Sequence, residues 1–431
     1  MRPALVLALL ASPAGAQEPA PATLDGRSVL PAATFSAPPD DAGREAFISG
    51  RFIDPARRAD APFSVPQRTS LPTPFLGQPV QGISGFALER PAAGGVWAII
   101  DNGFGNKHNS PDALLSFVRL VPDFATGRTA VAERVWLRDP NRVVPFRIVN
   151  EATEARYLTG GDLDTESIQV IGDTVWIGDE FGPFLVSATL DGVVTGIFET
   201  ELGGEPLRSP DNPAVASGSL PGPATWRAAS SGGYEGLALA PDGTLWALLE
   251  QPLFNEDGTR EGFVRMLQFD PAAGRWTGEE RRMTLTEGAT AIGDVNYVDD
   301  ARALVIERDN NQGTAPACPD GTLPAEARGC FPAPAQVKRV SLVTWGPDGE
   351  VSAERQVDLL SIADPEGVAG DAGAGGAFSF PFQTIESVLA DGPEHILVAN
   401  DNNLPFSSGR HPDRPDDNEL IRLRVPDLLA D

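Results

Sequence analysis

Acidic residues recur in this chain at matched places. In TIESVLADGPEHILVANDNN, Thr384 to Asn403, Glu386 stands near the start of one apolar run and Asp401 at the end of the next. The same relation joins Glu166 to Asp179 and Glu180, Glu235 to Glu250, and Asp294 to Glu307 and Asp309. Glu180, Glu250, Asp309 and Asp401 each follow their partner by fourteen or fifteen residues. In a fifth copy Ser84 holds the entry position, opposite Asp101 and Asn102. Carboxylates gathered without counter-charge either hold protons at unusual pH or take up a cation. Carboxylate, amide and carbonyl oxygens suit a hard cation, and Ca²⁺ takes roughly 6–8 of them. Glu166, Asp179, Glu180, Glu235, Glu250, Asp294, Glu307, Glu386 and Asp401 are therefore the candidate calcium ligands. For any single acid, a turn or capping role is the simpler explanation. The repetition argues for a shared site.

Cations near these acids are few. The chain has two lysines, Lys107 and Lys338. Lys107 and His108 follow IIDNGFGN, Arg308 lies in VIERDNN, and Arg410 and His411 follow NDNNLPFSSG. An anionic substrate could be held between a metal and such cations. Surface ion pairing is the plainer role for Arg410 and His411. The candidate catalytic set is Glu235, Arg308 and Lys107, with a metal-activated water as nucleophile. Asp162 to Glu166 also reads D-x-D-x-E, like the start of a calcium loop. Ser167 stands where an EF-hand needs glycine, which excludes that motif.

The elements that position these residues are hairpins. Five segments, from Gly82, Thr165, Tyr234, Ile292 and Thr384, share one grammar. A polar entry leads into alternating apolar residues, then a turn, then a run such as TVWIG, TLWALL, ALVIE or ILVAN. One or two charged, alternating runs follow each hairpin, as exposed outer strands should. Two inner and two outer strands make a four-stranded blade, and repeated blades make an all-β propeller. Five blades are legible. The segment before Gly82 is expected either to form a sixth, degenerate blade or to lend a closing strand to the last one, since NELIRLRVPD lacks a fourth strand. Long Pro/Gly/Ser-rich insertions separate the copies.

In a propeller the first strand of each blade starts, and the second ends, at the same mouth of the channel. The spacing therefore predicts a ring of acids at one mouth.

Composition narrows the function. The 431 residues carry 33 Lys+Arg against 60 Asp+Glu, a formal charge of -27. Such a chain is repelled by nucleic acid and by anionic membranes. MRPALVLALLASPAGAQEPA reads as a signal peptide over residues 1–16, cleaved after Ala16, so the protein is expected to be exported to the periplasm or outside the cell. Residues 17–80 form an N-terminal segment and 81–431 the propeller domain. Cys318 and Cys330, in ACPDGTLPAEARGC, predict one local disulfide. Three histidines argue against a His-rich zinc site, and no nucleophile elbow or Walker loop occurs.

At DLDTESIQVIGDTVWIGDEFGPFLV, GGYEGLALAPDGTLWALLEQPL, ALVIERDNN and TIESVLADGPEHILVANDNNLPF the chain resembles the phytase-like domain family, also called esterase-like activity of phytase. The resemblance runs from about Gln81 to Val425. Ser231-Gly232-Gly233-Tyr234-Glu235 stands where the family often has Asn-Arg-Gly-Phe-Glu, so the family's arginine is missing there. The resemblance implies an exported β-propeller that hydrolyses phosphoric or other esters. The expected function is a calcium-dependent ester hydrolase acting on phosphoesters. The alternatives are a lactone or carboxyl-ester hydrolase on a single-metal propeller, and a non-catalytic, calcium-stabilised binding propeller. The expected partner is a small-molecule ester, anionic in the phosphoester reading. No nucleic acid, no membrane insertion and a monomeric state are expected.

Overall fold

The computed structural model describes residues 18–53, 63–64, 69, 71–222, 225–323 and 326–430. The expected signal peptide lies outside the described residues. Twenty strands build five antiparallel units of four. The first unit is β2 (Ile83–Phe86), β3 (Val96–Ile100), β4 (Ser116–Asp123) and β5 (Arg128–Trp136). The second is β6 (Thr165–Ile171), β7 (Thr174–Asp179), β8 (Phe184–Thr189) and β9 (Val194–Glu199). The third is β10 (Tyr234–Leu239), β11 (Leu245–Leu249), β12 (Val264–Asp270) and β13 (Arg275–Met283). The fourth is β14 (Ala291–Tyr297), β15 (Ala303–Arg308), β16 (Lys338–Trp345) and β17 (Glu350–Asp358).

The fifth unit has β18 (Thr384–Ala390), β19 (His395–Asp401) and β20 (Asn418–Arg424). Its fourth strand is β1 (Thr23–Leu30), which pairs antiparallel with β20 along its whole length. First and last parts of the chain thus close one sheet. Between β1 and β2 the described residues form two-residue strands and one short 3-10 helix, Arg44–Phe47.

The first strands touch in a closed ring: β2 with β6, β6 with β10, β10 with β14, β14 with β18, and β18 with β2. Each gap between neighbouring units has its own apolar cluster. Ile99 and Phe117 meet Ile168 and Val170; Trp176 meets Leu237 and Phe269; Leu248 meets Val305. Ile306 meets Ile385, and Ile83 meets Leu389. Inner strands are covered on both faces, which is why Leu245–Leu249 is apolar and buried throughout. Outer strands such as Arg275–Met283 are half-exposed and charged. This ring of radial sheets is a β-propeller.

The axis is filled below the mouth. Gln169 Nε2 donates to Leu237 O at 2.6 Å and to Asn296 Oδ1 at 2.9 Å, and Leu88 N donates to Gln169 Oε1 at 2.9 Å. Asn296 Nδ2 donates to Phe86 O and Val388 O, each at 3.0 Å. Two amides thus tie together all five inner hairpins and floor the channel. Sequence analysis did not single them out. Cys318 and Cys330 are joined, as expected, with Cα atoms 5.0 Å apart. Among the described residues no helix is long and apolar enough to cross a membrane.

Candidate functional site

Every first strand carries a bulge near its start. The ladder skips one residue between Ile83 and Gly85, Thr165 and Ser167, Tyr234 and Gly236, Ile292 and Asp294, and Ile385 and Ser387. The skipped residues are Ser84, Glu166, Glu235, Gly293 and Glu386. A bulge re-aims its side chain out of the ladder, here at the mouth. Across each hairpin, the residues one step past the partner of the residue just ahead of the bulge are Asp101, Glu180, Glu250, Arg308 and Asp401. Asp164, just before β6, completes the group. All eight carboxyl groups are buried. They form a cup at one end of the axis, above the amide floor.

The register corrects one expectation. Gly293, not Asp294, is the counterpart of the bulged acids. A Cβ at Gly293 would lie 2.0 Å from Ile385 O, so no side chain fits there. Asp294 points instead between inner strands, accepting from Val295 N at 2.7 Å and Val388 N at 2.8 Å. Asp179 and Glu307 also turn away from the cup. Asp179 accepts from Asp164 N at 2.8 Å and Gly182 N at 2.7 Å. Glu307 accepts from Thr286 N and from Ser341 Oγ, both at 2.7 Å. Asp179 and Glu307 alternate to the opposite side from their successors, Glu180 and Arg308. Asp309 accepts from Gln336 N and Val337 N.

The cup has two halves. In one, Asp101, Asp164 and Glu166 bring a carboxylate oxygen each to within 4.8 Å of one another. Asp164 Oδ1 is buried and has no hydrogen-bond partner, and the same holds for Glu180 Oε1. Ser231 Oγ donates to the other Asp164 oxygen at 3.1 Å. Ser231 does so from the left-handed region, φ 39°, which a serine rarely adopts. In the sequence Asp164 reads only as part of a failed EF-hand, and Ser231 and Asp101 are not among the expected ligands. The D-x-D-x-E run was the available signal.

In the other half Arg308 Nη2 donates to Glu386 Oε1 at 3.0 Å, Glu250 Oε1 at 3.1 Å and Glu235 Oε1 at 3.3 Å. Its Nη1 donates to Asn310 Oδ1 at 2.6 Å, and its buried Nε has no acceptor. Glu386 Oε2 accepts from Ser84 Oγ at 3.4 Å, and Glu250 Oε2 from Gln251 Nε2 at 2.7 Å. Beside Arg308 a groove of about 610 Å³ is lined by Asp309, Asn310, Asn311 and Gln336.

Burial raises the acids of the cup. It lifts Glu166, Glu180 and Glu235 well above the ordinary range, with repulsion from neighbouring carboxylates adding to it. Asp164 and Asp401 rise for the same reasons. Glu386 is pushed up to about 7 by burial, although Arg308 pulls it down. Arg308 stays charged, since three glutamates outweigh its burial.

The remaining cations stand apart. Lys107 Nζ donates to Asp211 O at 3.0 Å and lies 5.5 Å over the Phe181 ring. Asp211 in turn accepts from Ser230 and Ser231, so Lys107 braces the loop that carries Ser231. Arg410 pairs with Glu419 through two bonds of 2.9 Å, the ion-pair role expected of it. Lys338 is buried between Asp309 O, Gln383 O and the Asp309 carboxylate, and burial pulls it down to about 7.

The fold and site define a β-propeller with an acidic cup at one mouth. The chain belongs to the Phytase-like family, described as esterase-like activity of phytase, whose model matches residues 78–404. No curated protein matches it. Solved structures similar to it include Myxococcus xanthus glutaminyl cyclase, 10% identical over 80% of this chain and 92% of the other, TM-score 0.36. Bacillus subtilis arabinanase Arb43A is 10% identical over 79% and 93%, TM-score 0.37. The calcium-binding protein regucalcin from Agrobacterium tumefaciens is 12% identical over 80% and 91%, TM-score 0.32.

Proposed function

We propose that this protein is an exported, calcium-dependent hydrolase of phosphoesters, built on five blades of which Thr23–Leu30 closes the last, and working as a monomer. The observation that carries the reading is the tripod of Asp101, Asp164 and Glu166, whose Asp164 Oδ1 is buried without a partner. An orphaned buried carboxylate oxygen is costly, and oxygens from three carboxylates fit a hard divalent cation. Asp101, Asp164 and Glu166 would hold the ion, with Glu180 Oε1 facing the same neighbourhood. When bound, Ca²⁺ supplies charge neutralisation and Lewis acidity toward an ester oxygen and a water.

The chain's own residues do the rest. A phosphate cannot enter an uncompensated acidic cup, so binding and neutralisation are coupled. Arg308 Nε, the one donor of that guanidinium without an acceptor, can donate to a substrate oxygen as charge develops there. Glu235 and Glu386 hold the guanidinium in place. Lys107 keeps Ser231 over Asp164. The groove beside Asn310 can receive the alcohol part of the ester.

A second reading has one observation in its favour. Only one nitrogen of Arg308 lacks an acceptor and Lys107 is engaged elsewhere, so the cup holds no cluster of cations to clamp a phosphate. A lactone or carboxyl ester would need none. The deciding experiment is turnover of a panel of phosphomonoesters, lactones and carboxyl esters by the calcium-loaded and EDTA-treated protein. Phosphoester turnover lost in EDTA and restored by Ca²⁺ supports the first reading. Lactone turnover that survives Arg308→Ala supports the second. Calcium-dependent melting with no turnover leaves a calcium-stabilised binding propeller.

A further inference from the structure

We propose that Arg308 is a built-in replacement for a second divalent cation, and that Glu235, Glu250 and Glu386 are a latent metal site that the guanidinium keeps filled. The pseudo-symmetry of the ring carries the argument. At the second-strand position one step past the partner of the residue ahead of the bulge, the other four units place Asp101, Glu180, Glu250 and Asp401. The fourth places Arg308. At the bulge, the other four place Ser84, Glu166, Glu235 and Glu386. The fourth places Gly293, because β14 runs so close to β18 that a Cβ would strike Ile385 O at 2.0 Å. One unit therefore contributes a cation and a space where its neighbours contribute acids.

The guanidinium occupies the ground a metal ion would. One nitrogen, Nη2, meets three carboxylate oxygens from two neighbouring units at 3.0, 3.1 and 3.3 Å. That is ion-like coordination, three anionic oxygens converging on one atom. Nε, buried beside it, has no acceptor, so the arginine is placed for its charge and not for a full set of hydrogen bonds. A calcium ion holds its oxygens at about 2.3–2.6 Å, so the three glutamates need draw in by less than about 1 Å to accept one. Among the described residues only Asp101, Asp164 and Glu166 already stand that close. The guanidinium spreads the other three. The protein is thus a one-ion-plus-arginine version of a site that could hold two ions.

This inference concerns the half of the cup that the proposed calcium ion does not use. Its test reads ion number, not activity. Calcium is titrated by calorimetry into the full mature chain, wild type and Arg308→Met, the methionine keeping an apolar stem without charge. The variant is expected to bind one more Ca²⁺ per chain than the wild type, and to lose that extra ion when Glu235→Gln and Glu386→Gln are added. Equal ion numbers in wild type and Arg308→Met overturn the proposal. Should Arg308→Met not fold, Glu235→Gln/Glu386→Gln in the wild-type background decides. Under the proposal it binds as many ions as the wild type, since those glutamates hold the arginine; a lost ion there overturns it. A wild type that binds none beside an Arg308→Met that binds one would sink the hydrolase's metal reading and leave this one standing.

Discussion

Arg308 and Glu386 meet at 3.0 Å from different blades, with both side chains buried. Glu386 also lies near Ser84 of the first unit, so it links the fourth, fifth and first hairpins at the mouth. Breaking a buried pair strands the remaining charge, at a cost of about 3–5 kcal/mol. Here the stranded groups are three glutamates that can take up protons. Arg308→Ala is therefore expected to melt at lower temperature than wild type in EDTA, with a larger deficit at pH 8 than at pH 5. A deficit independent of pH, read by calorimetric melting, would show that packing and not charge is what the arginine provides.

The cup sets a pH dependence of its own. Glu386 is raised to about 7 in the fold from an ordinary 4.5. The folded state therefore binds its proton more tightly than the unfolded chain. The stabilisation is fully present below about pH 4.5 and is lost as pH rises through about 7. The calcium-free protein should accordingly melt at falling temperature from about pH 5 to 8, as Glu166, Glu180 and Glu235, raised in the same direction, add to the trend. Millimolar calcium should flatten the upper part of that curve. A calcium-free melting temperature that climbs over this window would contradict the account.

Much of this was legible in the sequence, and the errors have a physical pattern. Short apolar runs and turn chemistry reveal the five hairpins because inner strands are buried on both faces, while the following strands alternate. Spacing also reveals that Glu386 and Asp401, or Glu235 and Glu250, return to one mouth. What spacing cannot reveal is a bulge. In β14 the bulged residue is Gly293, one place before the acid that spacing points to, and the pleat sends Asp294 sideways. The same alternation sends Asp179 and Glu307 away from the cup while their successors, Glu180 and Arg308, enter it. Asp164 escaped because it precedes the strand, and Gln169 and Asn296 because a floor made across five strands has no local signature. A missing fourth strand beside NELIRLRVPD was legible, with a closing strand from before Gly82 as one of two expectations; that Thr23–Leu30 supplies it was not, because the pair lies too far apart in sequence for a local pattern to choose the residues.

Those same residues separate ligand acids from structural acids. Asp164→Asn is expected to abolish most of the calcium-induced rise in melting temperature, with a small effect in EDTA, because it relieves repulsion while removing a ligand. Glu307→Gln should do the reverse. It disturbs the bonds to Thr286 N and Ser341 Oγ, lowers stability by about 1–3 kcal/mol, and leaves the calcium-induced rise as in wild type. Parallel melts of the two variants with and without calcium read both effects. Equal calcium responses would mean that the tripod is not the ion's seat.

The amide floor gives the last prediction. Asn296 donates to Phe86 O and Val388 O, and accepts from Gln169, which itself donates to Leu237 O. These carbonyls belong to inner strands of the first, fifth and third units. Asn296→Leu has a similar volume but cannot donate. It leaves two buried carbonyls and one Gln169 donor without partners, at about 1–3 kcal/mol each. The expected loss is several kcal/mol in chemical denaturation, larger than for any single cup acid. Because the floor lies below the acids, the calcium-induced rise should persist in whatever fraction remains folded. A small loss of stability would mean that water replaces the amide, and the channel would then be open from mouth to mouth. Gln169→Leu distinguishes the cases: a continuous network makes the double variant cost much less than the two single losses added, whereas an open, hydrated channel makes them additive.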